Sequence, residues 1–521
     1  MSKIVVYNTH IEINNYEYGD SFKLEKFFSV FDKTTHRFYP DGIYYDEKNK
    51  KAYLPRGIDI QFIENLFSCN AMYVNEHDNV GKVDKILIRY LPRNEAQRES
   101  IDFMLCKNKY IRNEKRSQLS LNLDTGAGKT YVAVMAASYY RYRTGVIAPS
   151  IDWLKQWKER IIEYTDIEPD EIYMISGIGT IARLLNGMRD ISKIKFFLIS
   201  HSTIRNYGEK YGWGKVGELF NTLGIGIKVY DEAHLSFKNM CMIDFFTNSF
   251  KTYYLTASLD RSDRSENRIF QAYFKNIPKL NLFDEDKDPH ANYLALLYNS
   301  RPTAIDIKRC CSNKYGFSAI MYAGYVIKRP NFYKLLSIVL YIAANNNGKM
   351  LIFIGKNDSI LSVYEWIKYN FPIFRDSIGI YNSTIPKEIK RNELNKKIIL
   401  STIKSSGTAS DISGLKYVVC LANPFVSKVI AKQTFGRLRD RNTMYIDVID
   451  LGFAATKSYY YNYDRREVFE KYSVKMESKR FGENDLDADS KKAFMLTQTK
   501  YSDIMSSSRS NATRIQIAYR V

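Results

Sequence analysis

The run Leu123-Asp124-Thr125-Gly126-Ala127-Gly128-Lys129-Thr130 places two glycines, a lysine and a hydroxyl in close succession. This is the composition of a phosphate cradle. Gly126 and Gly128 let the backbone turn its N–H groups toward phosphate oxygens, with Thr125 and Ala127 completing the loop. Lys129 supplies a point charge for the outer phosphates, and Thr130 a hydroxyl for Mg²⁺. The full pattern has glycine where this chain has Leu123, but the tight turn needs only the part from Gly126 to Thr130. A second chemical cluster follows about a hundred residues on, at Asp231-Glu232-Ala233-His234. There, a carboxylate for the metal (Asp231) is followed by one that can orient or deprotonate an attacking water (Glu232). His234 reads either as part of this group or as an ordinary hydrogen-bonding histidine.

Both clusters need strands to deliver them. Leu119, Leu121 and Leu123 alternate like a strand ahead of the loop, and a helix is expected to open at Lys129, the context that such a loop requires. The segment Ile225 to Tyr230 alternates in the same way and ends at Asp231. In an open α/β sheet, ligands sit at the carboxyl ends of the strands. Tyr253 to Leu255 reads as a third such strand, so the hydroxyls of Thr256 and Ser258 point at the cleft of Glu232 or cap the next helix. Gln97 could read an adenine edge with its amide, or be a surface residue at a helix start.

The order of Gln97, Gly126 to Thr130, Pro149-Ser150 with Gln156-Trp157, Asp231 to His234, Thr256-Ala257-Ser258, Gly407 with Asp411, and Gln433-Thr434-Phe435-Gly436-Arg437 resembles superfamily 2 helicases and translocases of the DEAH type. The stretch from Leu255 to Asp263 is similar to that of phage UvsW-type DNA helicases, with Leu259 where those have proline. The resemblance implies an α/β fold of two tandem RecA-like parallel-sheet motor domains, with ATP and Mg²⁺ as cofactors. It also implies that Gly407 and Asp411 sense the nucleotide. Gln433 and Arg437 would complete the catalytic set, Arg437 as an arginine finger in cis. The family's second arginine falls on Asp440, so Arg439 or Arg441 substitutes. Pro149, Ser150, Thr203 and Thr402 take the positions expected to meet nucleic acid.

The balance of charge agrees with a polyanion partner. The chain has 521 residues, with 77 Lys and Arg against 57 Asp and Glu and a formal charge of +20, which favours salt-sensitive nucleic-acid binding. Its 41 Tyr and 29 Phe offer stacking surfaces besides filling cores. Cys69, Cys106, Cys241, Cys310, Cys311 and Cys420 show no metal-ligand spacing and read as reduced thiols, so no structural metal is expected. The start lacks a signal-peptide apolar block, and the stretch from Leu335 to Ala344 is too short to cross a bilayer. The expectation is a cytoplasmic protein, of the host cytoplasm if the chain is viral, with no membrane partner.

Residues 1–90 read as a small α+β accessory domain, with strands around Arg37 to Tyr45 and Lys51 to Leu54 and a helix from Ile58 to Phe67. Its turn at Lys48, Lys50 and Lys51 is either a nucleic-acid contact or a solvated loop, and its removal is expected to leave a folded motor core. Residues 91–285 form the first RecA-like domain, 286–330 linker strands, 331–465 the second RecA-like domain, and 466–521 a C-terminal helix and tail. The functional expectation is an ATP-dependent helicase or translocase that remodels duplex, single-stranded or branched DNA in replication, recombination or repair. The alternatives are an RNA or RNA–DNA hybrid helicase, such as a transcript-release factor, and an ATP-switched clamp that does not translocate.

Overall fold

The computed structural model describes residues 3–32, 37–74, 80–107, 111, 117–123, 127–188, 190–256, 264–282, 289–311, 316–406, 412–438 and 440–518. The chain divides into two units, Met1–Glu285 and Asp286–Val521, each organised around a seven-stranded sheet.

In the first unit the sheet runs in the spatial order Ile172–Ile175, Phe196–Ser200, Thr144–Ala148, Ile227–Tyr230, Lys251–Thr256, Gln118–Leu123 and Lys279–Leu282. Every pairing is parallel. These strands are short apolar runs because both faces of the sheet are covered. Successive side chains point to opposite faces. Thus Val146, Leu198, Val229 and Leu255 join one core with the helices Lys129–Tyr140 and Ile151–Tyr164. Ile147, Ile199, Tyr230 and Tyr254 join a second core on the other face.

The N-terminal residues belong to that second core. Their five-stranded sheet, in the order Tyr44–Asp46, Lys51–Pro55, His10–Asn14, Lys3–Val6 and Ala71–Tyr73, places Ile4, Ile11, Ile13 and Leu54 in one cluster with Phe237, Ile243, Phe270 and Tyr273. The seam is tight. A Cβ on Gly57 would lie 1.8 Å from the carbonyl oxygen of Tyr273, and the Asn276 N–H donates to the Gly57 carbonyl at 3.1 Å. The expected detachable module is therefore packed as an extension of the motor domain.

The second unit's sheet has the order Ile378–Tyr381, Ile398–Ser401, Lys349–Ile354, Leu415–Ala422, Thr443–Asp450, Ala291–Tyr298 and Ser473–Arg480, again all parallel. Two differences from the sequence expectation stand out. Within 286–330, read as linker, Ala291–Tyr298 is an integral strand of the sheet. In the C-terminal segment, read as helix and tail, Ser473–Arg480 adds an edge strand before the helix Glu483–Ala518. The architecture is that of tandem RecA-like domains with a small N-terminal α+β element. Among the described residues, no helix is long and apolar enough to cross a membrane.

Candidate functional site

The strand Gln118–Leu123 leads into the phosphate loop, and the helix Lys129–Tyr140 leaves it. Thr125 and Gly126 lie outside the described residues. Gly128 occupies the N-cap with φ +98, in the left-handed region that favours glycine. It has no side chain to cap the helix, so the first-turn N–H groups and the positive end of the helix dipole remain suited to an anion. A Cβ at Gly128 would lie 2.2 Å from Gln97 Nε2. Gln97 is buried, which removes the surface reading of this residue. Its amide braces the loop: Nε2 donates to the Ala127 carbonyl at 3.0 Å, and Oε1 accepts the Arg93 N–H at 2.9 Å.

Lys129 is also buried. Its ammonium donates to the Leu123 carbonyl at 3.2 Å and lies 3.5 Å from Glu232 Oε1. The loop lysine and the second carboxylate of the Asp-Glu pair thus meet, although the strand Lys251–Thr256 separates their own strands in the sheet. Thr130 is half-buried in the first turn of the helix.

Asp231 follows the strand Ile227–Tyr230 directly, and its N–H donates to the Ile147 carbonyl at 2.9 Å. Burial, reinforced by the neighbouring Glu232 carboxylate, pushes its carboxyl up to about 6. Against that, the Trp157 indole N–H donates to Asp231 Oδ2 at 2.8 Å and holds the carboxylate in place. The sequence resemblance includes Trp157 among its motif residues but does not give it this contact. Glu232 has φ +48, a strained backbone for a residue with a side chain. The His234 ring nitrogen Nδ1 is 2.9 Å from Thr256 Oγ1 and 3.4 Å from Glu232 Oε2, so His234 joins the site by linking Thr256 to Glu232.

The remaining expected residues are more scattered. Pro149 and Ser150 lie just beyond the strand Thr144–Ala148, with Ser150 exposed at the N-cap of Ile151–Tyr164. Thr203 is buried, accepting the Gly177 N–H at 3.1 Å and meeting Ser200 Oγ at 2.9 Å, so its hydroxyl is committed within the protein. The basic turn is not a basic patch. Lys51 pairs with Glu12 at 3.0 Å, and Asp46 and Glu47 flank the exposed Lys48 and Lys50.

In the second unit, Thr402 follows the strand Ile398–Ser401 and donates to Ser405 Oγ at 2.9 Å. Gln433 lies on the helix Lys428–Phe435 and Arg437 just beyond it, buried. Asp440 pairs with Lys416 at 3.1 Å. Gly407, Asp411 and Arg439 lie outside the described residues, as do Ala257 and Ser258.

Residues 91–261 match the family Type III restriction enzyme, res subunit, a span that holds the phosphate loop and the Asp231-Glu232 strand end. The chain is 49% identical over 47 residues to the DNA 3'-5' translocase XPB2 of Sulfurisphaera tokodaii, covering 9% of this chain and 11% of that one. It is 28% identical over 148 residues to the DNA 3'-5' helicase XPB of Mycobacterium tuberculosis, covering 28% of this chain and 25% of the relative. The match thus spans only about a tenth and a quarter of those relatives. S. cerevisiae Dbp5 bound to RNA and ADP BeF3 superposes with a TM-score of 0.50 at 12% identity, over 78% of this chain and 97% of that one, which is a likeness of fold.

Proposed function

We propose that this chain is an ATP-dependent DNA helicase or translocase of superfamily 2. The observation that carries the reading is the convergence of Lys129, Asp231 and Glu232 at the carboxyl ends of a parallel sheet, beside the N-terminus of a glycine-capped helix. Such a helix end suits phosphate oxygens, and Lys129 adds a cation where charge builds on the transferring group. Asp231 and Thr130 are the oxygen donors suited to Mg²⁺, which when bound would neutralise phosphate charge. Glu232 is the group proposed to orient the attacking water, with His234 and Thr256 fixing its direction. The roles of Arg437 as the cation that stabilises the transition state, of Gln433 in the catalytic set, and of Gly407 and Asp411 in nucleotide sensing are proposed on the sequence resemblance alone.

DNA is favoured over RNA because the two relatives matched in sequence are a DNA translocase and a DNA helicase. The likeness to phage UvsW-type enzymes, and with it branched DNA and a role in recombination or repair, remains part of this proposal. A parallel measurement of ATP turnover with single-stranded DNA, duplex DNA, four-way junctions, RNA and RNA–DNA hybrids tests it. Stimulation by DNA is expected. Stimulation by RNA or hybrids alone would reassign the substrate, and no turnover with any of them would overturn the enzyme reading.

A further inference from the structure

Behind the nucleotide face, the first unit buries a charged cluster that the reaction itself does not use. Asp244, on the helix Phe237–Phe246, is fully buried and accepts four donors. Lys228 Nζ and the Tyr230 hydroxyl (2.7 Å) reach Oδ1, while the hydroxyls of Tyr254 (2.6 Å) and Tyr273 (2.7 Å) reach Oδ2. Lys228 also donates to Thr247 Oγ1 at 2.7 Å. Burial holds the three phenols well above their ordinary titration range, so each remains a donor.

A cluster of this kind is an expensive way to fill a core. Desolvating a lysine and an aspartate costs several kcal/mol per ion, and apolar side chains of the same volume often serve stability as well or better. What charge-assisted bonds add is direction: in a low-dielectric interior they resist small displacements of the groups that they join.

The groups joined here are the strands of the nucleotide site. Lys228 and Tyr230 lie on the strand that runs directly into Asp231 and Glu232. Tyr254 lies two residues before Thr256, which contacts His234. Gln118, at the start of the strand that enters the phosphate loop, donates from Nε2 to the Tyr254 hydroxyl at 2.7 Å. The Tyr230 ring stacks on Tyr254 at 5.5 Å with planes 4° apart, and on His201 at 6.1 Å. All three strands that carry Lys129, Glu232 and Thr256 to the site are therefore tied, directly or through one hydroxyl, to a single buried carboxylate. Beyond them, Gln118 Nε2 also donates to the Thr9 carbonyl at 3.2 Å, and Thr9 Oγ1 donates to the Thr247 carbonyl at 2.7 Å, which extends the tie to the N-terminal sheet.

We propose that the Asp244 cluster is a positioning device for the nucleotide site, with Tyr230 and Tyr254 as positioning residues that hold the strand ends at Asp231-Glu232 and Thr256. Turnover of ATP, more than its binding, depends on these two hydroxyls. The strained backbone of Glu232 is the reason: a left-handed residue with a side chain persists only where its surroundings over-determine it, and Tyr230 is the last strand residue before the Asp231-Glu232 pair. The inference rests on the ATP-hydrolysis reading above.

The test uses the full chain, saturated with whichever nucleic acid stimulates it, and compares Tyr230→Phe, Tyr254→Phe, the double variant and Tyr273→Phe. Each removes one hydroxyl from Asp244 and keeps the ring. Tyr273 ties Asp244 to the helix Arg264–Phe274, which carries none of the residues assigned to the site above; its hydroxyl also meets that of Tyr254 at 3.2 Å, so it serves as the comparison chiefly for Tyr230. The expectation is a fall in kcat of about tenfold for the double variant with KM for ATP changed by less than about threefold, and a smaller fall of the same kind for each single variant. Tyr273→Phe should lower the melting temperature comparably while kcat stays within about twofold. The single variants are read by the same criterion, so an unstable double variant leaves the test intact. If kcat follows melting temperature alike in all variants, or is unchanged in folded Tyr230→Phe and Tyr254→Phe, the positioning role is overturned while the ATPase reading stands. A wild-type chain that does not turn over ATP overturns both.

Discussion

Replacing Trp157 by Phe should make the stability of the metal-free chain depend on pH in a way that reports on Asp231. In the wild type the Asp231 carboxyl is raised from an ordinary 3.8 to about 6, chiefly by burial and then by Glu232, with the Trp157 donor and the Lys129 ammonium opposing the rise. A folded-state value above the unfolded one means that this group's contribution to stability is complete below pH 3.8 and is lost as pH rises through 6. The loss at neutral pH is on the order of 3 kcal/mol. Trp157→Phe removes a donor held 2.8 Å from the carboxylate, and a hydrogen bond to a charged group is worth ~1.5–3 kcal/mol. The carboxyl should therefore rise by a further ~1–2 pH units. The smaller ring also leaves a packing defect, but that cost does not vary with pH. The difference in unfolding free energy between variant and wild type should thus widen as pH increases from about 5 to about 8, by ~1.5–3 kcal/mol. Denaturant unfolding in the presence of a chelator, repeated across that range, measures it. The same comparison on an Asp231→Asn background should be flat. A Trp157→Phe penalty that is constant with pH, or that persists in its pH dependence when Asp231 is Asn, would refute the pairing of indole and carboxylate as the control on this group.

Lys129→Ala and Glu232→Gln should each reduce kcat for ATP by at least about a hundredfold, with Glu232→Gln still binding nucleotide in a fluorescent-analogue titration; near-normal turnover in either would remove it from the catalytic set. Gly128→Ala should lose nucleotide affinity and ~1–3 kcal/mol of stability, because it combines φ +98 with a clash on Gln97. Adding Gln97→Ala should restore only part, since the clash is relieved and the backbone strain is not; full recovery of melting temperature would show that strain to be negligible. Deleting residues 1–74 should abolish a cooperative melting transition in the first unit, as it strips Ile4, Ile11, Ile13 and Leu54 from a shared core; a soluble truncated chain that melts cooperatively would show the N-terminal sheet to be separable after all.

The central parallel strands of both sheets were legible because strands covered on both faces must be continuous apolar runs, as at Phe196–Ser200 and Lys349–Ile354, whereas the short edge strands Ile172–Ile175 and Lys279–Leu282 were not read from the sequence. The phosphate loop and the Asp231-Glu232 pair were legible because their chemistry fixes residue type and spacing locally. What escaped was tertiary. Ser473–Arg480 carries mostly charged and polar side chains, since an exposed edge strand has no buried face to write a pattern into the sequence, and charge there discourages edge-to-edge pairing. Trp157 meets Asp231 from a helix in a different βα unit, and Asp244 meets Lys228 from across the sheet face. The resemblance singled out Trp157 as a motif residue without pairing it to Asp231, and the Asp244 contact has no signal at fixed spacing. Lys228 in a buried strand was the one hint, since a lysine with no exposure must find a carboxylate. The N-terminal strands look like a separate small domain for the same reason: nothing local says that their apolar face is completed by Phe237, Phe270 and Tyr273.

Two costs converge on the same strand end. Glu232 holds a strained backbone, and Asp231 carries a carboxyl that burial makes reluctant to ionise. Within the fold the Asp231 rise is only partly opposed, by the Trp157 indole and by the Lys129 ammonium, which also lies against Glu232 and donates to the Leu123 carbonyl. A divalent cation accompanying a nucleotide would supply Asp231 with the charge it lacks, and phosphate oxygens would give Lys129 a better partner than a carbonyl. The free site is thus the less comfortable state of this unit, and the buried ties behind it through Asp244 are what allow that state to persist without the strand ends relaxing. On the proposed reading, nucleotide and metal should therefore stabilise the first unit by more than mass action on a neutral, unstrained pocket of equal contacts would give, and the excess should diminish as pH falls below about 6, where Asp231 is already protonated and has no charge to be relieved.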